Sequence, residues 1–153
     1  MTDRTPPQAP DIERAVLGAM LIDRKAVGRA IELLGDETVF YKPVHQVLFR
    51  ALTDLYDRNI PIDQLTVAEH LKQQGHLDSV GGETTIAALM NETVSAANIE
   101  YHCQVLKEKA RYRKLIAISA GIQAQCFEGK EGPEAILTGL ECSLQKLWEV
   151  WSR

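Results

Sequence analysis

The stretch Ser95 to Glu128, SAANIEYHCQVLKEKARYRKLIAISAGIQAQCFE, has no proline, one glycine at Gly121, and apolar residues recurring at helical spacing. It predicts one long helix. At 1.5 Å per residue such a helix is roughly 50 Å long, more than a domain of this size wraps, so part of it is expected to project. Gly129-Lys130-Glu131-Gly132 then reads as a loop, and Pro133 sits where a first helical residue is favoured. Residues 134 to 151 carry Ile136, Leu137, Leu140, Leu144, Leu147, Trp148 and Trp151, the pattern of a second amphipathic helix. A four-residue connection makes two helices antiparallel neighbours. Residues 95–153 are therefore expected to form a helical hairpin.

Two helices have little interior, yet this pair carries a wide apolar face. On the long helix Tyr101, Val105, Tyr112, Leu115, Ile116, Ile122 and Cys126 make one stripe, with Leu106 and Ile118 beside it. A contiguous exposed patch of more than a few hundred Å² marks a protein contact, and about 800 Å² per partner makes a stable interface. The hairpin thus reads as an association device; the plainer alternative is that it packs on its own head. The residues expected to carry association are Tyr101, Val105, Tyr112, Leu115, Ile116, Ile122, Leu140, Leu144 and Trp148. Periodicity does not separate those that close the hairpin from those that face another chain.

Composition narrows the class. The chain has 153 residues, 45% of them hydrophobic, and no apolar run near the 18 residues of a membrane span. Met1 to Pro7 holds no signal-peptide core, so a cytoplasmic protein is expected. Cys103, Cys126 and Cys142 are odd in number and lack metal spacing, and they read as reduced, buried helix residues. His102 and Cys103 point about 100° apart on a helix and are poorly placed to share a metal. Net charge is −4, unevenly spread: residues 1–94 hold 9 Lys and Arg against 14 Asp and Glu, and residues 95–153 hold 8 against 7. An acidic head is unsuited to gripping phosphate backbone.

Residues 1–10, with three prolines, read as a flexible arm. Residues 11–94 then read as a compact head of about five helices. The first begins near Asp11 as cap and presents Ile12, Val16, Leu17 and Met20, with Gly18 implying a close helix contact. Asp23 caps the second, which Gly35 ends. Phe40 and Tyr41 are expected to plug the core. Pro43 opens the central helix, with Val44, Val47, Leu48, Ala51, Leu52 and Leu55, and Asn59-Ile60-Pro61 stops it. Thr66 to Glu69 fits a capping box for a fourth helix ending near Gly75. A fifth follows Gly81-Gly82 with Ile86, Leu89 and Met90, and Ser95 is the expected cap of the long helix. No alternating stretch is long enough for a strand, so the class is all-α.

Catalytic patterns are missing. There is no Walker loop and no nucleophile signature, and Gly81-Gly82 reads as a turn. His45 reads as a satisfied, half-buried histidine. The helix-turn-helix at residues 66–91 has no lysine or arginine between Lys72 and Lys107, so its would-be reading helix neutralises no phosphate. The one basic cluster is Lys107, Lys109, Arg111, Arg113 and Lys114. It spreads around the helix as a solvated collar; the functional alternative is that it contacts nucleic acid or acidic groups on a partner.

Five short stretches, taken in order, resemble a known family. They are Ala15-Val16-Leu17-Gly18-Ala19-Met20-Leu21-Ile22-Asp23; Phe40-Tyr41 with Pro43 and His45; Pro61-Ile62-Asp63 with Thr66 and Ala68-Glu69; Leu77-Asp78-Ser79-Val80-Gly81-Gly82; and Ser95-Ala96-Ala97-Asn98-Ile99-Glu100-Tyr101. Together, over residues 10–115, the chain resembles the N-terminal domain of the bacterial replicative DNA helicase of the DnaB-type hexamer. The resemblance implies an all-helical head and hairpin, with hairpins of neighbouring subunits paired into dimers and a trimer-of-dimers collar above a motor ring. It implies docking of the C-terminal domain of primase, and a response to a helicase loader. It also implies that the RecA-like motor, with its ATP and Mg, follows this domain through a linker and is absent here, so that the chain reads as a piece cut at the end of the hairpin or as a natural protein that has lost its motor. On that basis the chain itself is no enzyme and holds no cofactor or metal; its parent is an ATP-dependent DNA helicase, and DNA is met only through that parent. The family's primase-facing head surface maps onto Asp11 and Thr85. Two positions depart from the family pattern: Val94 replaces a common proline, and Thr85 a common aromatic.

Overall fold

The computed structural model describes residues 4–153; residues 1–3 of the expected arm lie outside the described residues. Helix α1 (Pro10–Ile22) opens on a proline, whose missing N–H is an orphan at that position anyway. The cap is therefore Ala9, with no side-chain bond, and Asp11 sits inside the first turn instead of capping it. Asp23 then accepts from the Lys25 amide at 3.0 Å and starts α2 (Arg24–Leu34), which ends at Gly35 as the sequence implied. A single 3₁₀ turn, Glu37–Val39, leads to α3 (Pro43–Asp57). Phe40 plugs the core, fully buried 5.1 Å from the Phe49 ring, whereas Tyr41 is only half-buried.

Helix α3 ends in a Schellman-type turn: Asn59 takes a positive φ of 57° and the Ile60 amide reaches back to Leu55 O at 2.9 Å. Helix α4 (Gln64–Gln73) begins earlier than Thr66. Asp63 is the cap, accepting from the Thr66 amide at 2.8 Å, while Thr66 Oγ1 accepts from the Asp63 amide at 2.9 Å. The capping box exists, three residues upstream of its expected place, because Asp63 has the extended backbone a cap requires. Helix α5 (Gly82–Glu92) follows. Ser95 does not cap α6 (Ile99–Glu128); its hydroxyl accepts from the Ala97 amide and closes a local turn, so the long helix starts four residues later than the periodicity suggests. Helix α7 (Pro133–Trp151) starts at the predicted proline.

Helix α3 is central, as its pattern required, packing against α1, α2, α4 and the 3₁₀ turn. Val16, Leu17 and Met20 of α1, Leu48, Phe49 and Leu52 of α3, Val67 and Leu71 of α4, and Ile86 and Leu89 of α5 close one core. Gly18 provides the close contact foreseen for it. A Cβ there would collide with Thr93 Oγ1 and stand 2.9 Å from Leu89 O, so only glycine lets α1 and α5 lie this near. Among the described residues there is no strand, and no helix is long and apolar enough to cross a membrane. The chain divides into two compact units, Met1–Arg111 and Tyr112–Arg153, and the division falls inside α6.

Candidate interaction surfaces

Within the first unit the sequence hid a buried polar site. Glu13 shares the α1 face of Val16, Leu17 and Met20 and is 0% exposed. Its carboxylate accepts from the amides of Tyr41 at 2.6 Å and Lys42 at 3.4 Å, and Nδ1 of His45 lies 2.6 Å away. Burial alone would raise the Glu13 pKa, but the bond from His45 and the two amides prevail and hold its carboxyl below the usual range. His45 is thus satisfied, but buried rather than half-buried. The signal was available: an acid at the i, i+3, i+4 spacing of an apolar face needs a partner.

The first turns of α6 also belong to this unit. Cys103 and Leu106 are buried in the core, and burial pushes the Cys103 thiol up to about 11. Tyr101 and Val105 lie on roughly the opposite side of the helix; Tyr101 is 70% exposed and Val105 half-buried. Two ion pairs flank the connector between α5 and α6: Arg14 with Glu92, and Arg29 with Glu100. Of the two positions expected to face primase, Asp11 is exposed and Thr85 half-buried, its hydroxyl lying over Gly81.

The second unit, residues 112–153, is a hairpin of the distal part of α6 and α7. Ile118 and Ile122 of α6 share one depression with Ile136 and Leu140 of α7, alongside Gly121 and Gly139. A second depression of about 390 Å³ is lined by Leu115, Leu144, Leu147, Trp148 and Trp151. Among the described residues of this unit Ile136 is the one buried side chain. Of the nine residues expected to carry association, Ile122 and Leu140 help close the hairpin and are partly shielded. Tyr112, Leu115, Ile116, Leu144 and Trp148 are exposed, Trp148 by 70%. Tyr101 and Val105 belong to the first unit. Cys126 and Cys142, expected to be buried, are exposed, because a two-helix unit has little room to enclose them.

The basic cluster does not converge. Lys107, Lys109, Arg111 and Arg113 are half-buried and Lys114 is exposed. At 100° per residue Lys107, Arg111 and Lys114 (i, i+4, i+7) fall on one face of the helix and Lys109 and Arg113 on roughly the opposite one, so the five do not form a single stripe.

Comparison with known proteins places this architecture. Residues 5–108 match the family described as the DnaB-like helicase N terminal domain. The chain is 37% identical over 150 residues to the replicative DNA helicase DnaB of Rhodothermus marinus, covering 98% of this chain and 16% of that protein. It is 32% identical over 152 residues to the DnaB of Geobacillus stearothermophilus, covering 99% of this chain and 33% of that protein. The chain thus spans a third or less of the length of these curated relatives. Among solved structures, the N-terminal domain of DnaB helicase from Mycobacterium tuberculosis superposes with a TM-score of 0.85 at 32% identity, over 92% of this chain and 99% of that one. A DnaB-like replicative helicase, solved to show its interactions with primase, shares the fold with a TM-score of 0.64 at 23% identity, over 87% of this chain and 34% of that one. The match covers more than half of the sequence and the head and hairpin recur in the solved domain: this chain belongs to the DnaB-like helicase N-terminal domain family.

Proposed function

We propose that the chain is the N-terminal, non-catalytic part of a cytoplasmic ATP-dependent replicative DNA helicase, and that it works as an oligomerisation and docking module. Its hairpin pairs with the hairpin of a second copy, and three such pairs form a collar. The observation that carries this reading is the bare hairpin: Tyr112, Leu115, Ile116, Leu144 and Trp148 are all exposed on a unit whose one buried side chain is Ile136. An apolar surface of that kind on so small a unit asks for a protein cover. A second copy is the economical one, because closed symmetric pairing is the commonest mode of assembly.

The head is the part proposed to meet the C-terminal domain of primase, and a helicase loader. Support for primase comes from family membership and from the DnaB-like helicase of the same fold solved to show its interactions with primase. Asp11 and Thr85 are the positions to test, by capture of the chain on the cognate primase tail. Loss of capture in Asp11→Arg with the fold intact supports the surface.

Mass measurement across concentration tests the pairing. The wild-type chain is expected to reach a dimer or larger species by tens of micromolar, and Ile116→Glu with Leu144→Glu to stay monomeric. A wild type that remains monomeric at high micromolar concentration overturns the reading.

A further inference from the structure

The outward face of α3 carries Arg50, Thr53, Asp54 and Asp57, at the three- and four-residue spacing that sets side chains next to one another, opposite Leu48, Leu52 and Leu55 in the core. These four line a cleft of about 430 Å³. Gly35, Asp36 and Glu37 contribute from the link between α2 and α3, and His70, Leu71 and Gln74 from α4, all within the first unit. Neither Asp11 nor Thr85 lines it. The charge is one-sided: Asp36, Glu37, Asp54 and Asp57 stand against a single lining cation, Arg50. The Nε of Arg50 is 3.9 Å from Glu37 Oε1, a long pair that water screens. Arg58, from outside the lining, approaches Asp54 at 3.4 Å. Such a cleft repels phosphate and draws in a cation.

Two polar groups are sunk in the same wall. His70 is 8% exposed, with Nε2 3.1 Å from Asp54 Oδ2. The Thr53 hydroxyl is buried with no hydrogen-bond partner in the chain, an unfavourable state that a ligand donor relieves. Helical threonines use two χ1 rotamers, so a turn about χ1 aims the hydroxyl into the cleft that its side chain lines. Val47, Ala51 and Leu71 supply apolar surface beside these groups. Among the described residues no three His, Cys, Asp or Glu side chains are grouped to hold a metal ion, so the fitting cation is one that brings several donors of its own. We propose that the cleft receives a guanidinium group, the arginine side chain of an extended segment of a partner protein. Guanidinium is planar, offers five N–H donors and is weakly hydrated. Its donors suit the Asp54 and Asp57 carboxylates and the Thr53 oxygen, and its faces suit Val47 and Leu71. A lysine ammonium is compact and strongly hydrated, and has no flat face to lay on apolar surface. The volume is more than a guanidinium fills and leaves room for the arginine stem and its neighbouring backbone. The site is independent of hairpin pairing.

Titration of the full 153-residue chain with a capped Ala-Arg-Ala peptide, followed by amide NMR shifts, tests the site. Shifts are expected to centre on Thr53, Asp54 and His70 and to saturate in the millimolar range, as for a single side chain in a shallow site. The Ala-Lys-Ala peptide is expected to bind roughly fivefold more weakly. Asp57→Asn, at an exposed position, is expected to weaken arginine binding roughly threefold. Thr53→Val, which keeps the shape and removes the orphan hydroxyl, is expected to weaken it by a similar factor while leaving the melting temperature unchanged or higher. Affinity that is unchanged in both variants overturns the proposal. So does a lack of local shifts by about 10 mM peptide. Equal binding of the lysine peptide overturns the choice of guanidinium, and tighter binding of free agmatine than of the arginine peptide overturns a partner segment as its source.

Discussion

Glu13 shows how a single residue holds one region of this fold in register. Its carboxylate joins α1 to the turn before α3 through two backbone amides and a buried histidine. Replacing it by glutamine keeps the shape but removes the charge, and is expected to lower stability by about 1–3 kcal/mol. The sign of the pH effect follows from the shift. A carboxylate whose folded-state pKa is depressed contributes stability above its ordinary value of 4.5, and that contribution is lost as pH falls through the lower, folded-state value. Denaturant titrations below pH 4.5 are therefore expected to show a shallower acid limb in Glu13→Gln than in the wild type. Gly18→Ala is the complementary case: added volume rather than lost charge, at a cost of about 1–3 kcal/mol. Thr93→Ala removes the hydroxyl that the new methyl strikes and is expected to recover part of that loss, leaving the contact with Leu89 O. Gly18 was legible as a close contact because glycine inside a helix needs a reason. Glu13 was not read, because counting apolar residues passes over an acid on the same face.

At the level of elements, helices were easier to read than their ends. Periodicity marks where apolar residues must face a core, and every helix named from it exists. Ends are set by single hydrogen bonds, and several candidates stand within a few residues of each other. Thr66 looked like a cap but is the third helical residue of a box begun by Asp63, and Ser95 looked like a cap but serves a turn. Those assignments have different costs. Asp63→Ala leaves the Thr66 amide without its partner and is expected to destabilise the chain by about 1 kcal/mol. Ser95→Ala is expected to cost less, because the hydroxyl closes an exposed two-residue turn rather than a helix end. Thermal melts of the two variants side by side decide it; equal losses would return Ser95 to the role of cap. The exposed apolar face of the hairpin was legible in kind for the same reason as the helices. Its division was not. Spacing alone could not show that the core takes Cys103 and Leu106, leaving Tyr101 outward, nor that Ile122 and Leu140 turn toward each other's helix while Ile116 and Trp148 do not.

For the whole molecule, the two units are held by different means. The head closes a core over six helices, whereas the hairpin buries Ile136, half-buries Ile118, Ile122, Leu140, Leu147 and Trp151, and leaves its other large apolar residues open. Burial yields about 25 cal/mol per Å² of apolar surface, so a unit that hides so little of its own has little stability of its own. If a second copy supplies the remainder, the stability of residues 112–153 follows mass action and that of the head does not. Hydrogen exchange at two concentrations separates them. On dilution through the dissociation range, amides of Leu115 to Phe127 and of α7 are expected to lose protection, while those of Leu48 to Leu55 in α3 keep theirs. Ile116→Glu with Leu144→Glu should show the diluted pattern at every concentration, with the α3 amides unchanged. Protection in the hairpin that is the same across a hundredfold range of concentration would mean that its own two helices suffice, and the case for pairing would then lose the energetic need on which it rests.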